Sequence, residues 1–392
     1  MYQEIKYFNG LNTLRFFAAY LVVIHHAEQI RSKYDIFNLK QFSIFNNGGI
    51  AVTFFFVLSG FLISYLLLKE LNRTNTVSVR SFYKRRILRI WPLYFLLIII
   101  GTLVIPYVLK LIGHSYEFPY EFNDVIWYYI FFSPFMVNIL FGHHLLEPLW
   151  SIGVEELFYI FWAPLYKTFK KHIIKIILGV IIFKILLLLL IPSLNLSPEV
   201  IKLIQMLKFE AMAIGGLAAY IIYNRQKEIE PSFLYSKAFQ IIMISFILLR
   251  IFGFKFLKEN SILFDYLFAT PIASSLLLMS IFAWFIVNIS VNKKSIIKLN
   301  NRIFEFLGGI SYGIYMYHML IIFGMVLLFK AQLAKMNDLA STVVFYFILT
   351  ASVILVSYIS KKIFEDRFLR LKTKFRLNLQ TAKEQTQKQG II

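Results

Sequence analysis

The 392-residue chain contains no cysteine, which excludes disulfides, thiolate metal sites and a cysteine nucleophile. Acidic residues are scarce: 21 Asp and Glu stand against 41 Lys and Arg, for a formal net charge of +20. The chain also lacks an internal repeat, a glycine-rich phosphate loop and a separable soluble domain. What fills it instead is apolar. Hydrophobic residues make up 59% and aromatic residues 18%, and long apolar runs recur at Ile50–Leu68, Trp91–Leu111, Ile173–Ile191, Phe264–Val291 and Thr342–Ile359. Crossing about 30 Å of hydrocarbon takes roughly 20 mostly apolar residues in a helix. The pattern specifies an all-α, polytopic membrane protein. The first apolar segment contains Arg15 and has no small-residue cleavage site, so it is expected to stay as a helix and not to be removed as a signal peptide.

Positive charge collects in alternate connections: Lys69–Arg89, Lys167–Lys175, Arg225–Lys237, Lys293–Arg302 and the tail from Lys361, while Gly113–Leu149 has no Lys or Arg. The clustered side faces the cytoplasm. Spans are expected near 10–28, 47–68, 91–112, 149–166, 174–191, 200–223, 238–253, 263–291, 303–329 and 340–360. That gives about ten transmembrane helices with both termini cytoplasmic. The apolar stretch 125–141 would invert every later loop if it crossed, so it is expected to be re-entrant or interfacial on the outer side, broken near Pro134. Residues 1–365 then form the membrane domain and 366–392 a basic cytoplasmic tail. Attraction to anionic inner-leaflet lipid accounts for the charge, and no nucleic-acid partner is expected.

Ionisable groups within spans are costly and mark function. Arg15 and His26 are eleven residues apart, three helical turns plus about 20°, so they share a face with Arg15 about 16 Å nearer the cytoplasm. His25 points about 80° away from that line. An arginine below and an imidazole above suit a long, anionic-headed ligand reaching through the membrane; the plainer alternative has Arg15 on lipid phosphate and both histidines at the outer interface. In "PLWSIGVEELFYIFW", residues 148–162, Pro148 precedes a helix, Ser151 can cap it and Glu155 lies about one turn in. The helix dipole alone would explain glutamates there, whereas Glu155 beside His26 would fix the imidazole's tautomer. Arg86 and Arg89 share a face and can fork around phosphate oxygens. Lys184 and Arg250 read as snorkelling cations near span ends.

Taken together these pieces resemble the membrane acyltransferase-3 family, over nearly the whole chain and in the same order. "GLNTLRFFAAYLVVIHH" matches its opening Arg-x10-His pattern, giving Arg15 and His26. "FFFVLSGFLIS" matches its second helix with Ser59 and Gly60, and "RRILRIWPLY" its Arg-x-x-Arg signature with Arg86 and Arg89. "LWSIGVEELFYIFW" matches Trp-Ser-x-x-Val-Glu, giving Trp150, Ser151 and Glu155. "KFEAMAIGGLAA" resembles an Arg-x-Asp element with Lys208 and Glu210 substituted, and "LGGISYGIYMYHM" supplies Ser311, Tyr312, Tyr315 and His318. Asp366 replaces a proline common in the family, and an appended esterase-like domain found in some members is not expected here.

The resemblance implies an acyltransferase moving an acyl group, acetyl by family preference, from cytoplasmic acyl-CoA to a hydroxyl of an envelope polysaccharide or lipid-linked sugar, in the bacterial plasma membrane. On that analogy acyl-CoA is a co-substrate and no bound cofactor or metal is expected. Its phosphates would meet Arg86 and Arg89, its pantetheine arm would pass Arg15, and His26 would serve as general base or transient acyl carrier with Glu155 orienting it. Trp150, Ser151, Lys208, Glu210, Tyr315 and His318 would complete the binding site. A transporter or flippase of a glycan or acylated intermediate is the alternative class, and a scaffold with structural histidines a third. Membrane lipids are partners in any case, and a homo-oligomer is left open.

Overall fold

Hydrocarbon offers a backbone no hydrogen bonds, so a spanning segment must satisfy its own, and the described residues do so with helices and no strand. The computed structural model describes residues 5, 7–113, 118–262, 265 and 270–371; the expected basic tail lies outside them from residue 372. Sixteen α-helices serve the description: α1 Leu11–Lys33, α2 Gly48–Thr74, α3 Val79–Ile99, α4 Ile105–Leu111, α5 Phe122–Ile130, α6 Pro134–Phe141, α7 Leu149–Thr168, α8 Ile173–Leu190, α9 Pro198–Met206, α10 Phe209–Ile229, α11 Lys237–Leu248, α12 Phe254–Asn260, α13 Pro271–Ser290, α14 Arg302–Gly309, α15 Ser311–Ala334 and α16 Asp338–Ser360. Wider π turns join α3 to α4 and α11 to α12. Eight helical units among the described residues are long and apolar enough to cross a membrane. The other two spans of the ten-span reading, α1 with 23 residues and α7 with 20, are less apolar because they carry the charges.

The outer segment divides as its proline predicts. Helices α5 and α6 are separated at Phe131–Ser133, where Phe132 adopts φ +54°, and Pro134 begins α6, where a missing N–H costs nothing. The Phe132 ring stacks on Tyr94 at 4.4 Å, and Gly153 of α7 lies so close that a Cβ would stand 2.7 Å from the Phe132 carbonyl oxygen. Small residues set the central crossing as well. A Cβ on Gly60 of α2 would meet the Met212 carbonyl oxygen at 1.9 Å, and one on Gly215 of α10 the Val57 carbonyl oxygen at 2.0 Å. Such contact between backbones is how helices associate in lipid, where apolar side chains gain little by meeting each other.

Helix α1 is longer than its apolar run. Its extension past residue 28 is enclosed by protein, with Glu28 and Arg31 paired at 2.7 Å and both side chains fully buried. The Tyr346 hydroxyl donates to Glu28 at 2.6 Å and Arg31 donates to Thr342 at 2.9 Å, tying α1 to α16. Removing one member of such a buried pair is far costlier than replacing both. Lys184 is likewise no snorkelling cation: it is buried and its ammonium donates to the Ile204 carbonyl where α9 ends. Arg250 lays its guanidinium over the Phe254 ring, 3.5 Å from the centroid.

Candidate functional site

Five helices, α1, α2, α3, α7 and α15, enclose a cavity of about 240 Å³. The α2 residues that line it run from Val52 to Leu66, fourteen residues or about 21 Å of helix rise. The cavity is therefore long and narrow, running along α2. Its two ends differ in chemistry.

Arg15, Arg86 and Arg89 occupy the half nearer the cytoplasmic ends of α1 and α3. Arg86 and Arg89 sit three residues apart, past the second turn of α3, and share a face as their spacing predicts. Among the described residues neither makes an ion pair within 4.0 Å; Arg86 instead lies 5.5 Å over the Tyr159 ring and 5.8 Å over that of Phe82. Arg15 donates to the Asn12 side-chain oxygen at 2.9 Å, and Asn12 in turn donates to Glu305 at 3.0 Å. Gly308 makes this possible, since a Cβ there would fall 2.0 Å from the Asn12 carbonyl oxygen. Among the described residues Glu155 is the only carboxylate lining the cavity, so three cations there face one anion.

Glu155 does not orient His26 as the sequence led us to expect. Its two oxygens accept from Ser59 at 2.8 Å and Tyr159 at 2.9 Å, in the middle of the cavity wall. Ser151 is no helix cap either: the residue preceding α7 is Pro148, and no side chain caps that end. The Ser151 hydroxyl instead meets the Tyr315 hydroxyl at 2.7 Å, and both approach the Pro148 carbonyl, at 3.2 and 3.1 Å. This cluster forms the outer end of the cavity.

His26 stands behind that wall and does not line the cavity. Its Nδ1 lies 2.9 Å from His318 Nε2, and the rings stack at 5.0 Å with 22° between their planes. The other nitrogen of His318, Nδ1, points at the Tyr315 carbonyl oxygen at 2.5 Å. A carbonyl only accepts, so with both rings neutral the proton of His318 is on Nδ1. His318 Nε2 must then accept, the proton of His26 is on Nδ1, and His26 Nε2 carries a lone pair. The orienting group that the sequence assigned to Glu155 is thus His318. His25 differs sharply from its neighbour. Its Nδ1 donates to the Phe45 carbonyl at 2.9 Å, its Nε2 accepts from Gln29 at 2.9 Å, and its ring fills the space over Gly48. It anchors the loop leading into α2.

Trp150 packs edge-on against Phe56 at 5.8 Å, supporting the wall without lining it, whereas Tyr312 lines it and donates to the Ile90 carbonyl at 3.0 Å. Lys208 and Glu210 lie elsewhere. Glu210 is buried near the start of α10, with Oε2 lacking a hydrogen-bond partner, in the electrostatic reach of Lys184 and Lys208. The structure brings Arg15, Arg86, Arg89, Ser151, Glu155 and Tyr315 to one cavity, together with Tyr159, which the sequence did not single out.

Residues 8–361 match a family model, Acyl_transf_3, described as an acyltransferase domain. The chain is 27% identical over 341 residues to "Putative O-acetyltransferase SACOL0978" of Staphylococcus aureus (strain COL), covering 82% of this chain and 52% of that one. It is 29% identical over 181 residues to "Putative peptidoglycan O-acetyltransferase YrhL" of Bacillus subtilis (strain 168), covering 44% of this chain and 26% of the relative. A third similarity, 31% over 175 residues and covering 43% and 26%, is to "O-acetyltransferase OatA" of Staphylococcus aureus (strain NCTC 8325 / PS 47). The chain spans about half the length of the curated relatives it matches most widely. No solved structure matches it.

Proposed function

The chain belongs to the membrane acyltransferase-3 family, and on that premise we propose that it transfers an acetyl group from cytoplasmic acetyl-CoA to a sugar hydroxyl of the cell envelope, acting in the bacterial plasma membrane. One observation carries the reading: a long cavity with three arginines at its cytoplasmic half ends on Ser151 and Tyr315, one layer short of an imidazole with a free lone pair. Guanidiniums without carboxylate partners suit phosphate oxygens, which they bind through paired hydrogen bonds. The length of the cavity, about 21 Å along α2, suits a pantetheine arm. The thioester then rests at the Ser151–Tyr315 cluster, whose hydroxyls turn from the Pro148 carbonyl to its carbonyl oxygen as charge develops there.

His26 acts as general base. A nucleophilic imidazole must touch the thioester carbon, whereas a base need touch only the acceptor. The position of His26 behind the cavity wall favours the second role over an acyl carrier. Its Nε2 takes the proton from the acceptor hydroxyl while that oxygen attacks the thioester carbonyl. The C–S bond breaks, the CoA thiolate leaves, and it takes up the proton in turn. His318 holds Nδ1 of His26 protonated and so keeps Nε2 available. A sugar acceptor follows the printed activity of the Bacillus relative, peptidoglycan O-acetylation.

The test is proton NMR of envelope glycans, scoring base-labile acetyl esters, in a deletion strain complemented with wild type, His26→Ala or His318→Ala. General-base catalysis is worth about 10²–10⁴-fold, so His26→Ala is expected to restore no measurable ester and His318→Ala only a small fraction. Full restoration by an equally expressed His26→Ala protein would sink the mechanism.

A further inference from the structure

A second cavity lies on the cytoplasmic side, away from the five helices of the first. It has a volume of about 580 Å³ and is formed by the connection from α10 to α11 and the connection from α13 to α14. Lys237, Lys293, Lys294 and Lys298 line it, against one carboxylate, Glu230. Tyr235 also lines it; that side chain is 5% exposed and its hydroxyl has no hydrogen-bond partner. The cavity further takes in the start of α11, where the Ser236 hydroxyl accepts from the Phe239 N–H at 3.3 Å, leaving the first N–H groups of the helix to another acceptor.

The lysine-bearing loop is built, not loose. Gln240 and Asn288 are fully buried beneath it. The Gln240 amide oxygen accepts from the Ile296 N–H at 2.9 Å, and its nitrogen donates to the Tyr235 carbonyl at 2.9 Å and the Lys294 carbonyl at 3.3 Å. Asn288 donates to Gln240 and to Ser295, each at 3.3 Å, and accepts from Asn292 at 2.7 Å. Buried amides cost free energy unless bonded, and here their bonds all serve to fix one loop against one helix start. The result is four cations held around a helix N-terminus, a setting that favours an anion by charge and by directed N–H groups together.

We propose that this cavity binds a phosphate monoester. The chemistry has two available sources, the 3′-phosphate of a coenzyme A nucleotide and the headgroup of an inner-leaflet phosphatidate. The same loop continues to Leu299, whose carbonyl accepts from Thr13 at 3.2 Å, two residues before Arg15. The end of the lysine loop thus touches α1 near Arg15, but the proposal does not depend on the transfer reaction assigned there.

The experiment uses the full chain in neutral phosphatidylcholine nanodiscs, titrated calorimetrically with adenosine 3′,5′-bisphosphate and, separately, with dioctanoyl phosphatidate. Wild type is compared with Lys293→Gln/Lys294→Gln, with Tyr235→Phe and with Arg89→Gln, all checked for the wild-type elution volume. At least one ligand is expected to bind wild type, about tenfold more weakly to the double variant and about threefold more weakly to Tyr235→Phe. Arg89→Gln reports any share of nucleotide binding that belongs to the arginines of the first cavity. Binding of the nucleotide alone assigns the site to the donor's tail, and of the phosphatidate alone to lipid. Failure of both to bind wild type, or equal binding to wild type and the double variant, overturns the proposal. Loss of nucleotide binding only in Arg89→Gln also overturns it, while leaving the transfer reading standing.

Discussion

Helices α7 and α8 follow each other in the chain, with 20 and 18 residues, and the membrane uses them in opposite ways. α8 is almost wholly apolar and lies at the periphery, with Phe183 67% and Leu189 58% exposed. α7 carries two glutamates and is enclosed, with Ser151, Glu156, Tyr159 and Trp162 buried. In water the polar helix would be the outer one. Here the solvent is hydrocarbon, so the helices that carry charge must be surrounded by protein that can answer it. α1 repeats the pattern with Arg15, His26, Glu28 and Arg31. Within this fold the two long helices that fall short of a membrane span's apolarity, α1 and α7, both line the candidate site.

The comparison breaks most severely at the enclosed helices' supports. Gly60→Ala puts a methyl 1.9 Å from the Met212 carbonyl oxygen, and with no room to relax it is expected to cost about 3 kcal/mol or more. The measurement is the yield of monodisperse protein after detergent extraction, with wild-type yield as the outcome that would contradict the packing. A smaller effect is expected at the periphery. Phe183→Lys places a cation in lipid at an apparent cost of about 3 kcal/mol for a central position, lessened by snorkelling. Phe183→Leu should leave thermal stability and acetyl-ester content within experimental error, and a large loss from it would mean that α8 is not lipid-facing. The smallest effect lies outside the spans. His143 bonds Glu147 at 2.7 Å in the outer connection before α7, and that hydrogen bond and then the carboxylate's charge raise its pKa above 6.5. A raised folded value means that the pair's contribution is complete below the unfolded pKa and is lost as pH climbs through the folded one. NMR titration should place His143 above 6.5 in wild type and return it to the ordinary value in Glu147→Gln. The side chain is 79% exposed, so the stability change should be slight.

Much of this was legible in the chain. Apolar run length located the helices long enough to span a membrane, and Pro134 marked the break between α5 and α6. The i,i+3 arginines needed only helical geometry, whereas the face shared by Arg15 and His26 did not bring both to the cavity, which Arg15 lines and His26 does not. What spacing does not contain is the rotation of one helix against another. Glu155 is on the predicted helix at the predicted depth, yet its helix turns it towards Ser59, and His318 from a helix 292 residues on reaches His26 instead. The extension of α1 past residue 28 was hidden for a related reason. Glu28 and Arg31 look like the end of a span until Tyr346 and Thr342, far along the chain, supply their partners. Lys184 looked like a cation seeking the interface because its acceptor, the Ile204 carbonyl, exists only where α9 stops.

The arrangement of the two histidines ends on a peptide carbonyl, that of Tyr315, and not on a side chain. Every amino acid offers the same carbonyl, whereas the side chain at this position forms part of the cavity's outer wall. Residue 315 can therefore change, and with it the size of the group the cavity admits, while the proton on His318 keeps its acceptor. The shape of the cavity's outer end and the proton order of the histidine pair therefore depend on different atoms of one residue.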